Sequence, residues 1–151
     1  MKKWAALVFV ALFIGGCTAE SSEHDEDMEH GEEVAILEVE ILNDLEAEPG
    51  ETLTLSAQVT QNGEAVDDAE EVLFEVWESG HFEESTKVEG TLTEDGVYEA
   101  SYTFADEGVY YMFAHTTARD YHVMPKEMIT IGNPDPADVL EDNSTHSKDH
   151  K

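Results

Sequence analysis

The apolar positions of this chain fall in short runs, and the runs are spaced as strands rather than helices. Thr52–Thr60 is the cleanest of them. Leu53, Leu55, Ala57 and Val59 lie on one side and polar residues on the other, the period-two pattern of a half-buried strand. Further runs rich in β-branched or aromatic residues occupy Val34–Leu42, Glu71–Trp77, Val88–Thr93, Val97–Phe104, Gly108–Thr116 and His122–Ile131. Pro49-Gly50, Asn62-Gly63 and Asp95-Gly96 punctuate them as turns, and the last of these is a strong hairpin signal. About seven runs at roughly ten-residue spacing, with no amphipathic helix among them, predict an all-β, immunoglobulin-like antiparallel sandwich.

One local motif sets the phase of that sandwich. Asp106-Glu107-Gly108-Val109-Tyr110 has the D-x-G-x-Y form of a tyrosine corner, in which the tyrosine opens a core strand and its hydroxyl bonds back to the upstream chain. With Tyr110 facing inward, Met112 and Ala114 follow it, and Tyr111, Phe113 and His115 face outward. Met112 stands where antibody domains carry a cysteine. Trp77 is expected to fill the same core. On the returning strand Ile129 and Ile131 face inward, which sends His122, Met124, Lys126 and Met128 outward unless Pro125 introduces a bulge.

The ends of the chain read differently. Lys2 and Lys3, the apolar run Trp4–Ile14 and the small residues before Cys17 form a secretory signal, expected to be helical. The run is too short for a bilayer span of about 20 residues. Ile14-Gly15-Gly16-Cys17 resembles a bacterial lipobox, which implies removal of residues 1–16 and lipidation of Cys17. Residues 17–33 are polar and acidic, the composition of a disordered tether. The domain is expected over 34–132, and 133–151, with Pro134, Pro136 and little that is apolar, over a disordered tail.

Charge narrows the partners. Asp and Glu total 36 against 7 Lys and Arg, a formal charge of -29. Such a surface repels phosphate backbones and excludes nucleic acid as a partner. It will not adhere electrostatically to anionic lipid, and the attachment to the outer face of the cell membrane that the lipobox resemblance implies would come from the lipid on Cys17. Cys17 is the single cysteine, so no disulfide staples the fold. No Ser-His-Asp arrangement or G-x-S-x-G is present, and no enzymatic activity is expected.

Candidate chemistry gathers in Ala114–Pro125. His115, His122 and Met124 offer two imidazoles and a thioether, soft neutral ligands that suit copper, Cu(I) above all. His115 and His122 are expected to bracket a six-residue loop, roughly opposite each other. His24, Met28 and His30 in the tether are auxiliary candidates, since the chain should enter the domain at this end. His81, in the loop after Trp77, belongs to the opposite end and is a weaker one. The alternative use of the hairpin is metal-free: Tyr111, Phe113, Arg119 and Tyr121 as an aromatic patch for a cell-envelope protein.

The segment His115-Thr116-Thr117-Ala118-Arg119 through His122-Val123-Met124-Pro125-Lys126 resembles the signature of the YtkA-like domain. Trp77 with its acidic turn, and the Asp106-x-Gly108-x-Tyr110 segment, are similar to that family as well. The resemblance covers about residues 34–132. It implies an extracytoplasmic lipoprotein of the kind found in Bacillus and relatives, similar to FixH-like proteins. It also implies a neighbourhood of copper handling, with a copper acceptor or oxidase-assembly protein as partner.

Overall fold

The structure, a computed structural model, describes residues 34–144. The signal segment, Cys17 and the tether candidates His24, Met28 and His30 lie outside them.

Eleven strands follow one another: β1 (Leu37–Ile41), β2 (Glu46–Ala47), β3 (Thr52–Gln61), β4 (Glu64–Ala65), β5 (Glu71–Glu78), β6 (Thr86–Glu89), β7 (Thr91–Glu94), β8 (Val97–Thr103), β9 (Gly108–Ala118), β10 (Tyr121–Val123) and β11 (Lys126–Ile131). One sheet runs β1-β3-β8-β7, with β4 on β3. The other runs β2-β11-β9-β5-β6, with β10 on β9. All pairings are antiparallel except β2 on β11, which is parallel. Two such sheets, with consecutive strands divided between them, make an immunoglobulin-like sandwich.

The core lies between the inner faces. Leu53, Leu55, Ala57 and Val59 line it from β3, as their alternation predicts. Val72, Phe74 and Val76 come from β5, Met112 and Ala114 from β9, and Ile129 and Ile131 from β11. The tyrosine corner is formed: Tyr110 Oη–H donates to the Asp106 carbonyl at 3.0 Å. Met112 is wholly buried in this core.

Four sequence expectations change. The run Val88–Thr93 is not one strand. It breaks at Gly90, where β6 on one sheet gives way to β7 on the other. A Cβ at Gly90 would stand 2.9 Å from Phe74 Cε2, so the corner fits only glycine without a shift. Trp77 is buried but not in the sandwich core. Its register partner is Tyr111, on the outer face, because Val72, Phe74 and Val76 already take the inner phase of β5. The hairpin loop is not six residues long, because β9 continues to Ala118. Ala118 pairs with Tyr121 across a two-residue turn in which Arg119 and Asp120 have φ of 50° and 68°, the left-handed pair of a type I′ turn. Finally, residues 133–144 are not a loose tail. Asp142 accepts from Trp77 Nε1–H at 3.0 Å and pairs with Lys126 Nζ at 2.6 Å. Asn143 Oδ1 accepts from the Phe82 amide, and the Ser79 hydroxyl donates to the Leu140 carbonyl. These bonds strap the segment over the outer face. Residues 145–151 lie outside the described region.

Candidate metal site on the outer sheet face

The outer face of the β11-β9-β5 sheet is built from residues that share one phase. Pro125 decides whether the hairpin residues belong to it. Val123 pairs with Thr116 and Lys126 pairs with Phe113, so three steps on one strand match three on the other. No residue is inserted, and the Ala114 amide still donates to the Pro125 carbonyl at 3.1 Å. Met124 and Pro125 fall between β10 and β11, and the equal spacing of the flanking pairs shows that no extra residue is taken up there. His122 stands opposite Thr117, and counting between the flanking pairs puts Met124 level with His115. Directly opposite residues point to the same face, so His115, His122 and Met124 share one side of the sheet.

The two histidines are diagonal neighbours rather than an opposed pair. Their ring centroids are 5.8 Å apart at an interplanar angle of 32°. Thr117 Oγ1 lies 3.0 Å from His122 Nδ1. When Nδ1 donates to that hydroxyl, Nε2 is the nitrogen on offer. Phe113 packs against His115 with centroids 5.3 Å apart.

The neighbour that sequence reading missed is Glu75 on β5. His115 Nε2–H donates to Glu75 Oε2 at 2.6 Å. Ser85 Oγ–H donates to the other oxygen at 2.7 Å. The two side chains are 16% and 7% exposed for His115 and Glu75. Burial pushes the Glu75 carboxyl up, but the bonds from Ser85 and His115 and the charges of His115 and Lys87 outweigh it. The net shift is below the ordinary carboxylate range, so Glu75 is ionised. In a chain with 36 acidic residues one more glutamate carries no signal. The available clue is local: in E-V-L-F-E-V-W, Glu75 is flanked on its own face by Leu73 and Trp77.

Beside this pair lies an aromatic layer. Trp77 meets Phe82 edge-on at 4.9 Å, Phe113 at 4.8 Å and Tyr111 in a stack at 5.9 Å. Lys126 Nζ sits 5.4 Å from the centre of the Tyr111 ring. The 133–144 strap lies along this layer. Asp142 is held below the usual carboxylate range: burial raises it, but bonds from Lys126, Ser144 and Trp77 prevail.

The four residues of the metal-free alternative do not form one open patch. Phe113 is only 3% exposed. Arg119 is turned to the other sheet, donating to Gln61 Oε1 at 2.9 Å and pairing with Asp68 at 3.1 Å. Tyr121 is exposed but stands opposite Ala118, a core residue, and so has the opposite phase to Tyr111 and Phe113. His81 belongs to the far end, where Nδ1–H donates to the Ser79 carbonyl at 3.2 Å. The start of the domain, by contrast, is at the hairpin end. Leu37 pairs with Gln61, whose side chain holds Arg119 in the hairpin turn.

Among the described residues, no three His, Cys, Asp or Glu side chains gather as a metal-binding group. A site here needs the thioether as well as the imidazoles.

A profile of the YtkA-like family matches residues 31–115, more than half of the chain. The chain belongs to the YtkA-like family. That match covers β1 through most of β9, including Glu75, Trp77, the tyrosine corner and His115. No curated protein matches this YtkA-like chain. Among solved structures, the CARDB domain of a Pyrococcus furiosus protein, solved in complex with di-metal ions, is similar at 16% identity and a TM-score of 0.40. The alignment covers 64% of this chain and 93% of that one.

Proposed function

We propose that this YtkA-like sandwich is an extracytoplasmic copper-binding module, held to the outer face of the cell membrane by lipid at Cys17. His115, His122 and Met124 bind Cu(I) on the outer face of the sheet. The observation that carries the reading is the pair of imidazoles 5.8 Å apart on one face, and the equal spacing of the pairs on either side of Pro125 supports Met124 as their neighbour. The donors fit a soft monovalent ion: two neutral imidazoles and a thioether, with no thiolate beside them. Both oxygens of the nearby carboxylate of Glu75 are already bonded within the protein. A site of few ligands at a hairpin edge suits transfer to an acceptor, and an oxidase-assembly protein is the partner proposed. The acidic surface raises the local concentration of cations. Copper is cargo here, and no bond-making step is assigned to the protein.

The test is Cu(I) titration of the domain against a competing chelator. Wild type should hold one equivalent. The His122→Ala/Met124→Ala variant should lose at least tenfold in affinity, about 1.4 kcal/mol. Equal affinity in the two proteins would sink the site.

A further inference from the structure

The bond between His115 and Glu75 determines the state of the ring's other nitrogen. An ionised carboxylate only accepts, so His115 Nε2 must carry the hydrogen of the 2.6 Å bond. In the neutral form that a ligating imidazole must take there is one N–H, so Nδ1 then carries the lone pair. We propose that Glu75 is a positioning residue for the copper site, selecting the Nε2–H tautomer of His115 and presenting Nδ1 as the ligating nitrogen. This rests on the copper reading above.

The layout of the sheet supports the role. His115 lies on β9, the middle strand. Glu75 lies on β5 to one side, and His122 and Met124 lie on the returning chain to the other. The carboxylate therefore grips the ring from the side away from the other two ligands. The carboxylate is itself fixed. Ser85 holds Oε1, and Lys87 stands opposite Glu75 in the β5–β6 register. Phe113 packs on the imidazole. A metal-bound histidine whose second nitrogen donates to a carboxylate is held in one tautomer and orientation, and its basicity is raised. An ionised side chain that is 7% exposed on an outer sheet face has little other use, since an isoleucine or threonine would fill the position without desolvating a charge.

The experiment is nitrogen NMR of the imidazole rings in the metal-free and Cu(I)-loaded domain, with Cu(I) titration of the same samples. Cu(I) is diamagnetic and leaves the spectrum readable. Wild type should show His115 as the Nε2–H tautomer without metal, and only Nδ1 should shift on loading. Glu75→Gln keeps size, but its amide can donate or accept. It should show mixed tautomers and bind Cu(I) about 10–100-fold more weakly. Ser85→Ala, at a less buried site, should lose less in the same direction, and it carries the test if Glu75→Gln does not fold. Ligation of copper through Nε2 would overturn the assignment while leaving the copper reading intact. So would unchanged tautomer and affinity in Glu75→Gln. Failure of wild type to bind Cu(I) would remove the copper reading, and this inference with it.

Discussion

Single residues on the inner and outer faces of β9 do different work. Tyr110 closes the corner, and its hydroxyl bond to Asp106 is worth about 0.5–1.5 kcal/mol, the loss expected for Tyr110→Phe in denaturant unfolding. Burial, then the negative charges of Glu78 and Asp106 and the neighbouring Tyr102, push the Tyr110 phenol up from 10.0 to about 12. Its folded value lies above its unfolded one, so its stabilisation is complete below pH 10. It is lost as the pH rises from 10 through about 12. Ultraviolet titration should show a late tyrosine step near pH 12, and Tyr110→Phe should remove it. Met112, two residues on, fills the position of a disulfide cysteine with an apolar thioether. Met112→Ala should cost about 2–5 kcal/mol, because a fully buried side chain leaves a cavity.

At the scale of elements, the strap and the two-residue turn of the hairpin are the features that local pattern did not reveal. The strap is held at Asp142, whose side chain is 15% exposed and bonded to Lys126, Trp77 and Ser144. Its carboxyl is lowered from 3.8 in the folded protein. The stabilisation is therefore present above the ordinary carboxylate range and is lost as the pH falls through the depressed value. In a Trp4→Phe background, the emission of Trp77 should shift to the red on acidification through that window. Asp142→Ala should show the shifted spectrum at neutral pH and lose about 1.5–3 kcal/mol. The tight turn of the hairpin escaped reading for a simple reason. It is Arg119-Asp120, not the Asn-Gly or Asp-Gly that usually marks a type I′ turn, and Arg119 is held in place by Gln61 of the opposite sheet and Asp68 of the β4–β5 connection.

At the scale of the whole molecule, charge repulsion opposes compaction. Between residues 34 and 144 the Lys and Arg side chains are Lys87, Arg119 and Lys126, and each stands at a junction. Lys87 faces Glu75, Arg119 ties the hairpin turn to the other sheet, and Lys126 pins the strap. A net charge of -29 makes screening favourable. The melting temperature should rise as salt increases from about 10 mM to about 0.5 M, where the Debye length falls from about 30 Å to only a few ångströms. A fall would mean that these few ion pairs outweigh the repulsion.

The all-β class, the face of β3, the corner at Tyr110 and the phase of β9 were written in the chain itself. Each depends on residues within a few positions of one another, where period two and turn chemistry act directly. The outward phase of His115, His122 and Met124 was legible for the same reason. Other features depended on pairing between segments far apart in sequence: the equal spacing of pairs on either side of Pro125, the diagonal rather than opposed histidines, the strap over Trp77 and the grip of Glu75 on His115. Glu75 and His115 are 40 positions apart, and nothing local distinguishes that glutamate from the rest. Only the β5–β9 register sets the two side by side, because which of many like charges meets a given ring is decided by tertiary pairing.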